Sequence, residues 1–210
     1  TNEEVVGGVV LSDGQKVDCD LVVVAIGVSP RTQLVKDTAI KLNRGIVVDN
    51  HMATNFPDVY ACGDVAEAYD YIYGTYRLTP IWPNAYEGGR VAGYNMAGKA
   101  TDYPGGTNAN SLKYFGMPIV TAGIVNLPTK DGYEVLSRAE GNIYKKIVLK
   151  DNRIMGIVFM GDIQRSGVIF GLMREGVKAS SFKDNLLSDD FGLSYLPDEL
   201  RKEKLKSHPK

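Results

Sequence analysis

The residues best placed to do chemistry are one carboxylate and its neighbours, Gly63-Asp64-Val65. They close the stretch GIVVDNHMATNFPDVYACGD from Gly45 to Asp64. The pattern reads as a short apolar strand, a polar turn, and a second strand ending at Gly63-Asp64 where a helix could begin. A carboxylate at the carboxyl end of a strand stands where open α/β sheets bind their ligands. It can accept hydrogen bonds from the hydroxyls of a sugar or polyol, while the free N-H groups of the next helix turn face an electron-rich oxygen. The competing reading is that Asp64 only caps that helix.

A second chemical element is Leu78-Thr79-Pro80, which precedes a helix predicted from Pro80 or Pro83 to Ala97. The free donors and positive dipole end of such a helix stabilise negative charge growing on an adjacent ring. Ala85, Gly89, Ala92, Gly93 and Met96 recur at spacings of three and four, a narrow face that would let the helix approach another backbone or a flat cofactor. Tyr69, Tyr71, Tyr73 and Tyr76 either stack on a ring system or pack beneath a loop.

Other reactive residue types offer less. Cys62 reads as a small buried hydrophobe, and the carboxylates beside Cys19 would raise a thiol pKa rather than lower it. His51 reads as an exposed loop histidine, and His208 lies in the charge run DELRKEKLKSHPK, expected as a solvated tail. No catalytic residue and no metal-ligand cluster is assigned.

Several of these stretches resemble one family. TxxPDVYACGD, with Thr54, Tyr60-Ala61, Gly63 and Asp64, resembles the second flavin-binding motif of the pyridine nucleotide-disulfide oxidoreductase superfamily. VVVAIGVSPRT resembles the exit from that superfamily's NAD(P)H-binding domain, and NIYKKIVLKDNRIMGIVFMGD followed by a helix resembles the C-terminal interface domain of NADH-rubredoxin oxidoreductases and related nitrite reductases. The resemblance implies that Asp64, flanked by Gly63 and Val65, bonds the ribityl chain of FAD. It implies that the Leu78-Thr79 segment donates to the flavin pyrimidine edge, and that Gly27 lets the backbone pass close to the nicotinamide nucleotide. The implied reaction is hydride transfer from NAD(P)H to FAD, with electrons passing on to rubredoxin, oxygen or a disulfide such as CoA disulfide. The other reading is a non-catalytic module for dimerisation or for docking an electron-transfer partner.

The elements that must position these residues fall into four expected stretches. Residues 1–30 read as the remnant of an NAD(P)H-binding domain, with strands at 5–10 and from Lys16 to Ile26 around the Asp13-Gly14 turn. The run Leu21-Val22-Val23-Val24-Ala25-Ile26 suits a strand covered on both faces and needs neighbours. Residues 31–106 read as the C-terminal part of an FAD-binding domain, and Tyr103-Pro104-Gly105-Gly106 marks its end. Residues 107–190 read as an α+β domain, with strands over 111–125, 133–139, 142–149 and 154–160 and a helix from Ser166 to Val177, and 191–210 as a polar tail. The fold class is therefore α/β, a partial Rossmann-like domain followed by an α+β interface domain that would form a homodimer.

With 210 residues and 44% apolar content the chain can fill a core. A net charge of -1 provides no field for nucleic acid, and no apolar run is long enough to span a membrane, so a cytoplasmic protein is expected. The first residue is not methionine, which suggests a piece of something longer. Neither GxGxxG nor a P-loop occurs, so this chain would offer only the ribityl and ring-edge side of an FAD site and would be inactive alone. The absence of His-Pro-Thr counts against glutathione-reductase-type enzymes.

Overall fold

The structure, a computed structural model, describes residues 5–127 and 132–206. Its largest element is a five-stranded antiparallel sheet built from β6 (Ala109–Tyr114), β7 (Met117–Gly123), β8 (Glu134–Glu140), β9 (Ile143–Lys150) and β10 (Arg153–Met160), in the order β6-β7-β10-β9-β8. The expected β9–β10 hairpin forms around Asp151-Asn152, both at positive φ (50° and 60°), as a two-residue turn with right-handed strand twist requires. Alternation places Lys145, Ile147 and Leu149 of β9 on one buried face, with Ile147 opposite Ile157 of β10. Helix α2 (Ser166–Arg174) lays Ile169, Leu172 and Met173 onto the same core. The α+β character of this half is as expected.

The first half holds a smaller sheet. Strand β3 (Ile46–Val47) runs parallel to β4 (Ala66–Asp70), and β5 (Thr75–Arg77) returns antiparallel to β4. Helix α1 (Trp82–Met96) covers it, with Val91 and Ala92 packed on Ile46, Val48, Met52, Ala66 and Ala68. This parallel pair under a helix is the Rossmann-like part of the α/β fold. A separate hairpin, β1 (Gly8–Val10) with β2 (Lys16–Asp18), precedes it.

Three expectations are corrected. No helix follows Asp64; a single 3-10 turn, Gly63–Val65, leads straight into β4, because tertiary hydrogen bonds to the Glu67 side chain hold that segment extended. The strand from Lys16 stops at Asp18, and Leu21 to Ile26 makes no ladder among the described residues, with Val23 79% and Ile26 90% exposed. A run of this composition needs strands on both sides, and none of the described residues supplies them. The polar tail is not solvated throughout: Phe191 and Leu196 are buried, Phe191 stacks on Tyr195, and α3 (Asp198–Leu205) follows. Isolated apolar residues separated by tight turns carry no periodicity, which is why the strip reads as polar. His208 lies outside the described residues.

Two buried charges tie these parts together. Lys145, only 2% exposed, bonds Asp162 at 2.7 Å and Asp189 at 2.8 Å, so the segment before α3 is pinned across the large sheet. Burial alone would lower the Lys145 pKa, but the two carboxylates more than reverse this and hold it raised. Asp70, fully buried, accepts from the N-H groups of Ile72 and Tyr73 and from the Thr107 hydroxyl, joining β4 to the linker before β6. Burial lifts the Asp70 pKa above its ordinary 3.8, against the pull of those bonds. A carboxyl raised in the folded state holds its proton more tightly there. Its contribution therefore favours folding at low pH and turns against it as pH rises above 3.8 through the raised value. Asp70→Asn keeps the two backbone bonds on Oδ1, turns Thr107 from donor to acceptor, gives up the ion pair to Arg77 and removes the titration. Urea denaturation should show the variant gaining stability relative to the parent as pH rises above 3.8; a gap that does not change with pH would refute this account.

Candidate functional site

Cys62 is extended and Gly63 sits at φ +76°, a turn that a side chain at position 63 would strain. The turn swings Asp64 outward. Asp64 is exposed, caps nothing, and makes no hydrogen bond or ion pair among the described residues, so the helix-cap reading does not describe it. It lines a crevice of about 350 Å³ with Val28, Ser29, Pro30, Arg31, Cys62 and Val65. Gly27, at φ +87°, delivers the chain into the opposite wall. The structure thus brings the segment after Gly27 against the Asp64 turn.

The bare backbone of Gly45 makes the convergence possible. A Cβ on Gly45 would lie 2.5 Å from the Val65 carbonyl oxygen and 2.7 Å from Leu78 Cδ2, so Val65 and Leu78 meet over that bare backbone. A Cβ on Gly88 of α1 would lie 3.4 Å from Cys62 Cβ, and one on Gly63 3.7 Å from Ala85 Cβ. The small-residue face of α1 therefore packs on the Asp64 turn. Its buried members are Gly88, Val91 and Ala92, whereas Gly93 and Met96, expected on that face, are exposed because the helix is rotated by about one residue.

Helix α1 begins at Trp82, three residues after Thr79, with Ile81 at an N-cap position that provides no side-chain cap. Pro83 has no N-H, and the Ala85 N-H is taken by the Ile81 carbonyl, so Trp82 and Asn84 hold the two backbone donors of the first turn that make no bond among the described residues. The Thr79 carbonyl accepts from the Ile81 N-H at 2.9 Å and from Asn84 Nδ2 at 3.2 Å. Asn84 Nδ2 also reaches the Thr107 carbonyl, fixing the helix start against the linker.

Two residues here were not singled out from sequence. Glu67, 4% exposed, accepts from the Gly45 N-H at 2.8 Å and from Asn43 Nδ2 at 3.1 Å, clamping the turn before β3. An acidic residue inside the alternating strand AEAYD was the available signal. Asn84 offered none beyond its place at the helix start. Among the described residues no group of three or more His, Cys, Asp or Glu could hold a metal, and no helix is long and apolar enough to cross a membrane.

Residues 1–89 match the pyridine nucleotide-disulphide oxidoreductase family, and residues 109–177 match the rubredoxin NAD+ reductase C-terminal domain, in the same order along the chain. This chain belongs to the pyridine nucleotide-disulphide oxidoreductase superfamily. It is 36% identical over 180 residues to a nitrite reductase [NAD(P)H] of Bacillus subtilis, covering 82% of this chain and 22% of that protein. It is 32% identical over 185 residues to the NADH-rubredoxin oxidoreductase of Clostridium acetobutylicum, covering 87% of this chain and 45% of the relative. Among solved structures, an FAD-dependent pyridine nucleotide-disulphide oxidoreductase from Desulfovibrio vulgaris superposes with a TM-score of 0.75 at 25% identity, over 90% of this chain and 50% of that one. The chain thus spans less than half the length of these curated superfamily relatives.

Gly45→Val should put branched carbon atoms where Val65 and Leu78 meet. We expect a loss of about 1–3 kcal/mol, measured by thermal unfolding; a variant as stable as the parent would show that the close approach is not constrained.

Proposed function

We propose that this chain supplies the ribityl and ring-edge side of an FAD site in an NAD(P)H-dependent oxidoreductase. The observation that carries the reading is the Asp64 carboxylate, exposed in its crevice and bonded to no described residue, beside a turn on which α1 packs. A carboxylate held only by its backbone is ready to accept hydroxyl donors, and Asp64 fits a polyol chain for that reason. The uncapped start of α1, with the free N-H groups of Trp82 and Asn84, fits the electron-rich edge of a ring. The N-H of Thr79 makes no bond to the described residues and fits the same role. When bound, FAD supplies the two-electron chemistry. The protein residues bind and orient: Asp64 with Gly63 and Val65 holds the sugar-like chain, Leu78 and Thr79 flank the ring edge, and Gly27 leads to the nicotinamide side.

The boundaries 1–30, 31–106, 107–190 and 191–210 are proposed as the functional division of the chain, with the last stretch a packed extension of the third. The acceptor is a small electron-transfer protein, oxygen or a disulfide. The homodimer would form through residues 107–190, where edge strand β6 exposes Leu112 and Tyr114 next to Phe115.

In the protein that contains this chain, Asp64→Ala should weaken FAD binding by roughly 10- to 100-fold, the worth of a charge-assisted bond of about 1.5–3 kcal/mol. Because Asp64 is exposed and unbonded, the unfolding midpoint without flavin should not move. Flavin fluorescence titration measures the first and circular dichroism the second. Unchanged FAD affinity would sink the assignment.

A further inference from the structure

A second cavity, of about 470 Å³, opens between the start of α1, the Pro104 to Thr107 linker and α2. It is larger than the Asp64 crevice, has a volume common for small-molecule sites, and is walled by Ile81, Pro83, Tyr71 and Phe170. Its floor is bare backbone for a steric reason. A Cβ on Gly106 would lie 2.5 Å from Tyr103 Oη and 2.6 Å from Asn84 Oδ1, and one on Gly105 within 3.2–3.3 Å of the rings of Tyr69 and Tyr71. Rigid prolines and aromatic faces make the walls flat.

The charges at this cavity do not cancel. Asn84 spends its amide donors on Thr79 and Thr107. Glu87 is held by the Arg90 guanidinium, and that bond keeps its carboxyl below the ordinary range. Arg174, at the end of α2, makes no ion pair among the described residues and stands exposed at the mouth. The Tyr71 phenol, pushed up to about 12 mainly by burial, stays protonated as a hydrogen-bond donor beside it. One uncommitted guanidinium over apolar walls suits a single carboxylate on a flat apolar body, whereas a phosphate would call for several donors.

We infer that this cavity binds a small planar aromatic carboxylate, its ring against the apolar walls and its carboxylate on Arg174. The inference goes beyond the flavin reading and stands without it, since binding is measured on the flavin-free chain. Calorimetric titration with 2-naphthoate should give saturable one-site binding, and the neutral 2-naphthalenemethanol should bind roughly tenfold more weakly. Arg174→Gln, at an exposed helix end, should bring 2-naphthoate down to the alcohol's affinity and leave the alcohol unchanged, while Arg174→Lys recovers most of the difference. Ala109→Leu, which narrows the cavity, should weaken both probes with the circular dichroism spectrum retained. Absence of saturable 2-naphthoate binding would overturn the proposal. Equal affinity in Arg174→Gln would do the same, as would full binding of both probes by folded Ala109→Leu, which would place them on the exposed 21–28 run instead.

Discussion

Burying two carboxylates in one five-residue strand is unfavourable unless their oxygens find donors, and β4 satisfies this requirement through bonds to distant parts of the chain. Glu67 reaches back to Asn43 and Gly45, and Asp70 reaches forward to Thr107. The first set fixes how β3 enters its parallel pairing and leaves Gly45 bare beneath Val65 and Leu78. The second fixes how the chain leaves the Rossmann-like half. Both chemical features, the Asp64 turn and the start of α1, are held between these two anchors.

The same strand couples the halves of the molecule. The β4–β5 turn inserts Ile72 into the core of the five-stranded sheet, with Tyr71 packed at its edge, while Tyr103 of the linker packs into the smaller core. The cavity beside α2 exists because this exchange holds α1 and α2 apart across a glycine floor. A rigid junction of this kind can present a preformed pocket, which lowers the ordering cost of binding.

On the core face of the large sheet, Lys145 plays a comparable role with the opposite charge. Its ammonium group is sealed beneath Asp162 and Asp189, and the segment carrying Asp189 brings Phe191 and Leu196 onto the core. Half of the region that reads as polar tail is thereby part of the packed domain. The buried lysine draws the strap down, and the apolar residues within it complete the contact.

Local chemistry alone determined the elements whose signals are short-range. The β9–β10 hairpin follows from alternation and a two-residue turn of residues tolerant of positive φ, α2 from apolar residues at helical spacing, and the α/β then α+β order from the change of period between the halves. Asp64, Gly63 and Gly27 were legible as candidates because glycine and a strand-end carboxylate have distinctive backbone and hydrogen-bonding roles. Tertiary structure decided the rest. Extended rather than helical geometry after Asp64 depends on bonds between Glu67 and residues more than twenty positions away, and the buried face of α1 depends on its fit to Cys62 and Met52. The fate of Leu21 to Ile26 turns on neighbours, since β-branched residues favour a strand only where other strands stand beside it. The position of Arg174 at the mouth of a cavity is decided by packing between elements a hundred residues apart, and no local pattern encodes it.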